Sequence, residues 1–167
     1  MDAELSTLSV TVGQALTTRQ LILACAESCT GGWISEVITA TSGSSGWFDR
    51  GMITYTNHAK QQMLGVSHET LAAHGAVSEE TAREMAKGAL VHSLAQVSLA
   101  VTGIAGPTGG SSGKPVGTVC FAWCREDQPA ISDIRLFSGD REAIRRQTVI
   151  HSLHGLLALL VGAKTVP

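Results

Sequence analysis

Apolar positions along this chain change their spacing in a regular way, and the changes mark out its elements. Leu5, Leu8, Val12 and Leu16 recur at helical intervals and predict an amphipathic helix over 4–18. LILACA (21–26) is a short unbroken apolar run, as expected of a strand buried on both faces. Gly31 and Gly32 then open a second helix through Trp33, Val37 and Ile38, which the Ser/Gly cluster SGSSG ends. RGMITYT (50–56) reads as a strand, with Asn57 the N-cap of a short helix over 58–64. VSHETLAAHG supplies another short helix ending at Gly75, and Ser78 precedes the helical stretch EETAREMAKGALVHSL. QVSLAVT (96–102) is a strand, and VGTVCFAWC and ISDIRLF are two more. The short connection REDQPA makes these last two an antiparallel hairpin. A final helix runs from about Asp140 to Leu160 and is apolar nearly all round from Val149 onward, the pattern of a buried helix or a subunit interface. The order α-β-α-β-α-α-α-β-β-β-α predicts an α/β fold. It is a single three-layer α/β/α sandwich around a mixed sheet, one domain over residues 1–167.

Composition narrows the classes. A chain of 167 residues with 44% hydrophobic and 16% charged residues has enough apolar surface for a core without disulfide staples. The net charge of −2 lacks the basic excess that nucleic acid or an anionic membrane surface demands. MDAELSTLSV is no signal peptide, and no apolar run approaches the roughly 18–20 residues needed to span a bilayer. A cytoplasmic protein without nucleic-acid or membrane partners is the expectation. Two Cys-x-x-x-Cys pairs, Cys25/Cys29 and Cys120/Cys124, suggest zinc. On a strand, however, Cys120 and Cys124 stand about 13 Å apart, too far to share one metal. Free buried thiols and no metal site are expected.

Candidate chemistry gathers at AESCTGG, residues 26–32, where a buried strand turns into a helix. Unpaired first-turn amides favour negative charge there, which suits Ser28 as a nucleophile or simply as a helix cap. The Gly-x-Ser-x-Gly elbow is not met, since Ala26 and Thr30 stand where glycines belong. Cys29 is an alternative nucleophile, but no histidine is placed by sequence to activate it. For a base, Ser111-x-x-Lys114 is excluded by Pro115, which disfavours a helical turn. TYTNHAK (54–60) is the alternative. Tyr55 and Asn57 share a strand face, and Lys60 falls in the first turn of the next helix, where the local positive field would lower its pKa. A solvated surface lysine is the bland reading.

GIAGPTGGSSGKPVG (103–117) is glycine-rich but no Walker A loop, because Thr108 replaces the first glycine and Pro115 follows Lys114. It is either a mobile loop or an amide nest for a ligand. Arg141 and Arg145 lie four apart near a helix N-terminus. They are either solvated beside Asp140 and Glu142 or held there by an anion. His151 and His154, one turn apart, lack an acidic partner for a metal. Trp33 and Trp47 read as core or pocket wall.

Taken in order, AESCTGG, GSSGWFDRGMITYTNHAK, HGAVSEETA, GIAGPTGG, KPVGTV and GDREAIRRQ resemble the CinA C-terminal domain family over residues 5–160. The resemblance implies a Ser/Lys amidohydrolase that converts nicotinamide mononucleotide to nicotinate mononucleotide and ammonia in pyridine-nucleotide recycling. Carried over, Ser28 is the nucleophile and Lys60 the base, with Tyr55 assisting, and no cofactor is implied. Amides around Cys29, Thr30 and Gly31 would then hold the oxyanion, while Asn57, Gly103, Ala105, Gly106, Arg141 and Arg145 become candidates for substrate contact. A non-catalytic nucleotide-binding module, or an amidase on another substrate, are the alternatives. The apolar last helix adds the expectation of a homo-oligomer.

Overall fold

A computed structural model describes residues 2–162, and the predicted domain's remaining positions, 1 and 163–167, lie outside the described residues. Five strands form one sheet in the order β2-β1-β3-β4-β5: β1 Leu23–Glu27, β2 Phe48–Ile53, β3 Val97–Gly103, β4 Thr118–Arg125 and β5 Ile131–Leu136. β1 pairs in parallel with both β2 and β3, while β4 is antiparallel to β3 and to β5, so the sheet is mixed. Six helices cover it: α1 Ala3–Arg19, α2 Trp33–Thr39, α3 Asn57–Leu64, α4 His68–His74, α5 Glu79–Val91 and α6 Arg141–Leu160. A 3-10 turn at Ser44–Gly46 follows α2 within the Ser/Gly cluster.

Alternation along the strands divides the core into two unlike halves. Leu23, Leu99, Val101, Phe121 and Trp123 face α1, α2 and α6. Ala24, Ala26, Ala100, Cys120 and Ala122 face α5 and its neighbours. Small side chains on that second face let α5 lie close to the sheet, and Ala82, Ala86 and Ala89 complete the fit from the helix. Gly88 carries the same logic outward, since a Cβ there would strike the Leu64 carbonyl at the end of α3. α5 therefore ties α3, which carries Lys60, to the sheet.

Four helices have side-chain caps from Asp2, Ser67, Ser78 and Asp140. At α3 the cap is Thr56, not Asn57. Thr56 is extended and its hydroxyl accepts from Ala59 N–H, so it does what was expected one residue later, and Asn57 is the first helical residue. β2 also ends at Ile53, short of the predicted Thr56. Tyr55 and Asn57 thus share no strand face. Between Val149 and Leu160 only His154 is exposed, because α6 packs on β3, β4 and α1, and packing within the chain covers its apolar surface. His151 sits edge-on to Phe121 and bonds Asp133 of β5 at 2.9 Å.

β1 connects outward to β2 on one side, and β3 connects to β4 on the other. Their carboxyl ends therefore flank a topological switch point, where α/β sheets open a crevice. Ser28 stands there, its N–H donating to the Val101 carbonyl at 3.1 Å.

The α6 contact with the sheet is tight enough to test. Trp123 donates its indole N–H to the Ser152 carbonyl at 2.8 Å, and a Cβ at Gly155 would collide with the same ring. Gly155→Ala should cost about 1–3 kcal/mol by overpacking, read as a lower midpoint in urea unfolding followed by Trp fluorescence.

Candidate active site

The turn after β1 is organised by a carboxylate. Glu27 is fully buried at the strand end. Its Oε2 accepts from Thr30 Oγ1 at 2.7 Å, Gly32 N–H at 3.0 Å and Ile34 N–H at 3.1 Å. Its Oε1 accepts from Ser35 N–H at 2.9 Å and Ser35 Oγ at 2.7 Å. These bonds consume the first-turn amides of α2, so they do not face outward as free anion receptors. Gly31 and Gly32 make the sharp reversal at φ +60° and +100°, which suits residues without a Cβ. Gly31 N–H closes the turn onto the Ser28 carbonyl at 3.0 Å. Among the described residues, no carbonyl or carboxylate takes the amides of Cys29 and Thr30.

Arg145 clamps the same turn from α6. Its Nε donates to the Cys29 carbonyl at 3.1 Å, its Nη2 to the Thr30 carbonyl at 2.8 Å, and its guanidinium lies 5.2 Å over the Trp33 ring. The carbonyls, not a free anion, answer its positive charge.

Lys60 comes from α3 and is 1% exposed. Its Nζ is 2.9 Å from Ser28 Oγ and 2.8 Å from the Thr54 carbonyl. Two residues 32 apart in sequence are thus in direct contact. Burial lowers the Lys60 pKa from 10.5 to about 8, against an opposing effect of Cys29. Desolvation, rather than the helix field invoked from sequence, is the leading cause. At pH near 8 a substantial fraction of Lys60 is neutral, and Ser28 Oγ is the hydroxyl against it.

Cys29 is a poor rival. It is 6% exposed, and burial pushes its thiol up to about 12, so it carries no thiolate near neutral pH. All four cysteines are free and buried. Among the described residues, no three His, Cys, Asp or Glu side chains cluster as a metal centre would require.

The remaining candidates form a second tier around the pair. Tyr55 is 59% exposed, and its hydroxyl accepts from Arg141 Nη2 at 2.9 Å, not from Lys60 or to Ser28. Arg141 Nη1 donates to the Gly106 carbonyl at 2.8 Å, linking α6 to the glycine-rich loop. That loop begins at Gly103, the last residue of β3, and is tied down at several points. Ile104 N–H donates to the Thr118 carbonyl at 2.9 Å, and Lys114 Nζ to the His74 carbonyl at 2.9 Å, while Ala105 is buried. Asn57 is exposed at the start of α3. A cleft of about 740 Å³ adjoins the turn, lined by Gly31, Gly32, Trp33, Arg141, Arg145 and Arg146, with Asp2, Glu36 and Glu142. Its three arginines are matched by three carboxylates, and neither Ser28 nor Lys60 lines it.

Sequence reasoning missed Glu27 and Thr54. The signal for Glu27 was a carboxylate at the end of a run buried on both faces, which must be satisfied internally. Thr54 offered no local signal.

The chain matches the CinA C-terminal domain over residues 5–160. It is 54% identical over 155 residues to the nicotinamide-nucleotide amidohydrolase PncC of Escherichia coli (strain K12), covering 93% of this chain and 94% of that one. Among solved structures, the competence/damage inducible protein CihA from Agrobacterium tumefaciens superposes with a TM-score of 0.92 at 44% identity. That match covers 95% of this chain and 97% of that one. A CinA superfamily protein from Klebsiella pneumoniae gives 0.91 at 38% identity, covering 95% and 98%.

Two stability measurements test this site. Glu27→Ala strands several buried donors and should cost about 3 kcal/mol or more, with Glu27→Gln between it and wild type in urea unfolding. Lys60→Met should do the reverse. A lysine with a depressed folded-state pKa destabilises the fold while it must be charged there. The cost is full below about 8 and fades as pH rises towards 10.5. After allowing for lost hydrogen bonds, a gain of about 2 kcal/mol at pH 7 is expected, shrinking through that window in thermal melts.

Proposed function

The chain belongs to the CinA C-terminal domain family, and from that premise we propose that it hydrolyses the carboxamide of nicotinamide mononucleotide, releasing ammonia and nicotinate mononucleotide. The observation that carries the reading is the buried 2.9 Å contact between Lys60 Nζ and Ser28 Oγ, with Lys60 brought to about 8. A nucleophile and a base of suitable strength meet at the carboxyl end of a parallel strand, and the relatives named for this reaction cover nearly the whole chain.

In the proposed mechanism, neutral Lys60 holds one N–H on the Thr54 carbonyl and turns its lone pair to the Ser28 hydroxyl. It takes the Ser28 proton as Oγ bonds to the amide carbon. The Cys29 and Thr30 amides, left untaken by other groups in the turn, receive the oxyanion; Gly31 acts through the turn it closes rather than as a donor. Lys60 then passes its proton to the departing nitrogen, the C–N bond breaks and ammonia leaves. Water attacks the acyl-serine carbon while Lys60 takes its proton, and Ser28 Oγ leaves reprotonated. Tyr55 and Arg141, bonded to each other rather than to Lys60 or Ser28, are left out of this relay; they, with Asn57, the Gly103–Gly106 segment and the Arg145-clamped turn, are assigned to the ribose and phosphate. The same reading assigns the enzyme to pyridine-nucleotide recycling in the cytoplasm; with the apolar surface of α6 covered within the chain, the expected homo-oligomer would have to use another face.

Incubation with nicotinamide mononucleotide should release ammonia, and Ser28→Ala should reduce kcat/KM by about 10⁴-fold or more. Lys60→Ala should lower it by about 10²–10⁴-fold. Because the base must be deprotonated, kcat/KM should rise with pH and level off above about 8. Full activity in Ser28→Ala would remove the nucleophile assignment.

A further inference from the structure

Thr54 Oγ1 is, among the described residues, the buried side-chain polar atom without a hydrogen-bond partner. Thr54 is 0% exposed, and it is the residue whose carbonyl holds Lys60 Nζ. Such orphaned hydroxyls are rare in folded proteins because each forfeits the bonds it made to water. Its place in the sheet is specific. The registers Glu27↔Ile53 and Glu27↔Val101, extended by one residue, set Thr54 and Thr102 on either side of Ser28. Thr54 N–H donates to the Glu27 carbonyl at 2.8 Å and Ser28 N–H to the Val101 carbonyl, so the parallel pairing continues there. Neighbouring strands lie about 4.8 Å apart, and residues in register point to the same face. Three hydroxyls therefore form a row at the carboxyl ends of β2, β1 and β3. Thr102 donates to the Ala76 carbonyl and Ser28 meets Lys60, which leaves Thr54 unmatched.

A second unmet need lies beside it. Nζ has two partners, Ser28 Oγ and the Thr54 carbonyl. As an amine it has two N–H bonds and a lone pair, and as an ammonium three N–H bonds. In either state one N–H remains unpaired, on a side chain that is 1% exposed. When Lys60 gains the Ser28 proton, that N–H becomes a charge-assisted donor, roughly twice as strong as a neutral one. Its other charged or titratable neighbours offer it nothing: the Cys29 thiol is neutral, and the Glu27 carboxylate is committed to α2 on the opposite face of β1.

We propose that Thr54 is a positioning residue for the general base, its hydroxyl accepting the remaining N–H of Lys60 by a side-chain rotation when the lysine becomes charged. The Ser28 O–H bond breaks, the new Nζ–H bond forms, and the ammonium is then held by the Thr54 carbonyl and Thr54 Oγ1 while its acquired proton faces the leaving nitrogen. An acceptor that is idle before proton transfer and engaged after it stabilises the later state selectively, which is the condition for raising kcat. The catalytic part of this inference rests on the Ser28–Lys60 reading above, whereas the contact itself does not.

The test follows Lys60 directly. ¹³Cε-lysine NMR resolves it among the chain's four lysines, with assignment by Lys60→Arg. Thr54→Val keeps the shape and removes a hydroxyl that is unpaired while Lys60 is neutral, so folding should be retained above the Lys60 titration and weakened only slightly below it. Its Lys60 should titrate about half to one pH unit below wild type, because the charged form has lost an acceptor. Its limb in kcat/KM should shift equally, and its plateau kcat should fall about tenfold. Thr54→Ser should restore both. A Lys60 titration unchanged in Thr54→Val overturns the contact, and a shifted titration with wild-type kcat overturns its part in turnover. Absence of ammonia release by the wild-type protein, with the titration shift intact, would instead count against the proposed reaction.

Discussion

One buried carboxylate holds together the end of this fold that carries the Ser28–Lys60 pair. Glu27 accepts five hydrogen bonds from the turn and helix that follow it, and each depends on the others for its geometry. A fully buried charge is tolerated only when nearly all its acceptor capacity is met, and here the chain from Thr30 to Ser35 is wrapped to meet it. The wrapping fixes the positive-φ reversal at Gly31 and Gly32, and that reversal sets where Ser28 stands at the end of β1. Arg145 completes the frame by gripping the carbonyls on the turn's outer side. The glycines serve the reversal; of the amides the sequence suggested as an oxyanion receptor, Gly31 is engaged within the turn while no carbonyl or carboxylate among the described residues takes those of Cys29 and Thr30.

Against that rigid frame the fold places a costly group. Lys60 is carried on α3 into a space where its charge is disfavoured, and the close contact of α3 and α5 at Leu64 and Gly88 keeps it there. Small residues on one face of the sheet are what allow α5 so near, so the half of the core with the least bulk supports the chemistry. Stability and reactivity are opposed at this position: the desolvation that weakens the fold leaves a larger share of the amine unprotonated, and so able to take a proton, near pH 8.

Much of the architecture is legible in local pattern. A continuous apolar run marks β1, which lies between two other strands, and the REDQPA connection marks the β4–β5 hairpin. Errors fall where two neighbouring residues compete for one role. Thr56 and Asn57 are both good caps, and only the extended conformation of Thr56 decides between them. Tyr55 and Asn57 were expected on one strand face because TYT continues the strand pattern. With β2 ending at Ile53 they share none, and the Tyr55 hydroxyl meets Arg141.

By itself the sequence determined the elements, their order, the mixed sheet, and, through resemblance, which serine and lysine to compare. Those depend on periodicity, capping chemistry and turn length, all local in the chain. The tertiary structure decided what those residues touch. It brought Ser28 to Lys60 across 32 positions, assigned the lowered Lys60 pKa to burial, and turned Glu27 inward to consume the helix amides. It also left Thr54 without a partner. Partner choice is a property of surfaces packed from distant segments, and no local pattern encodes it.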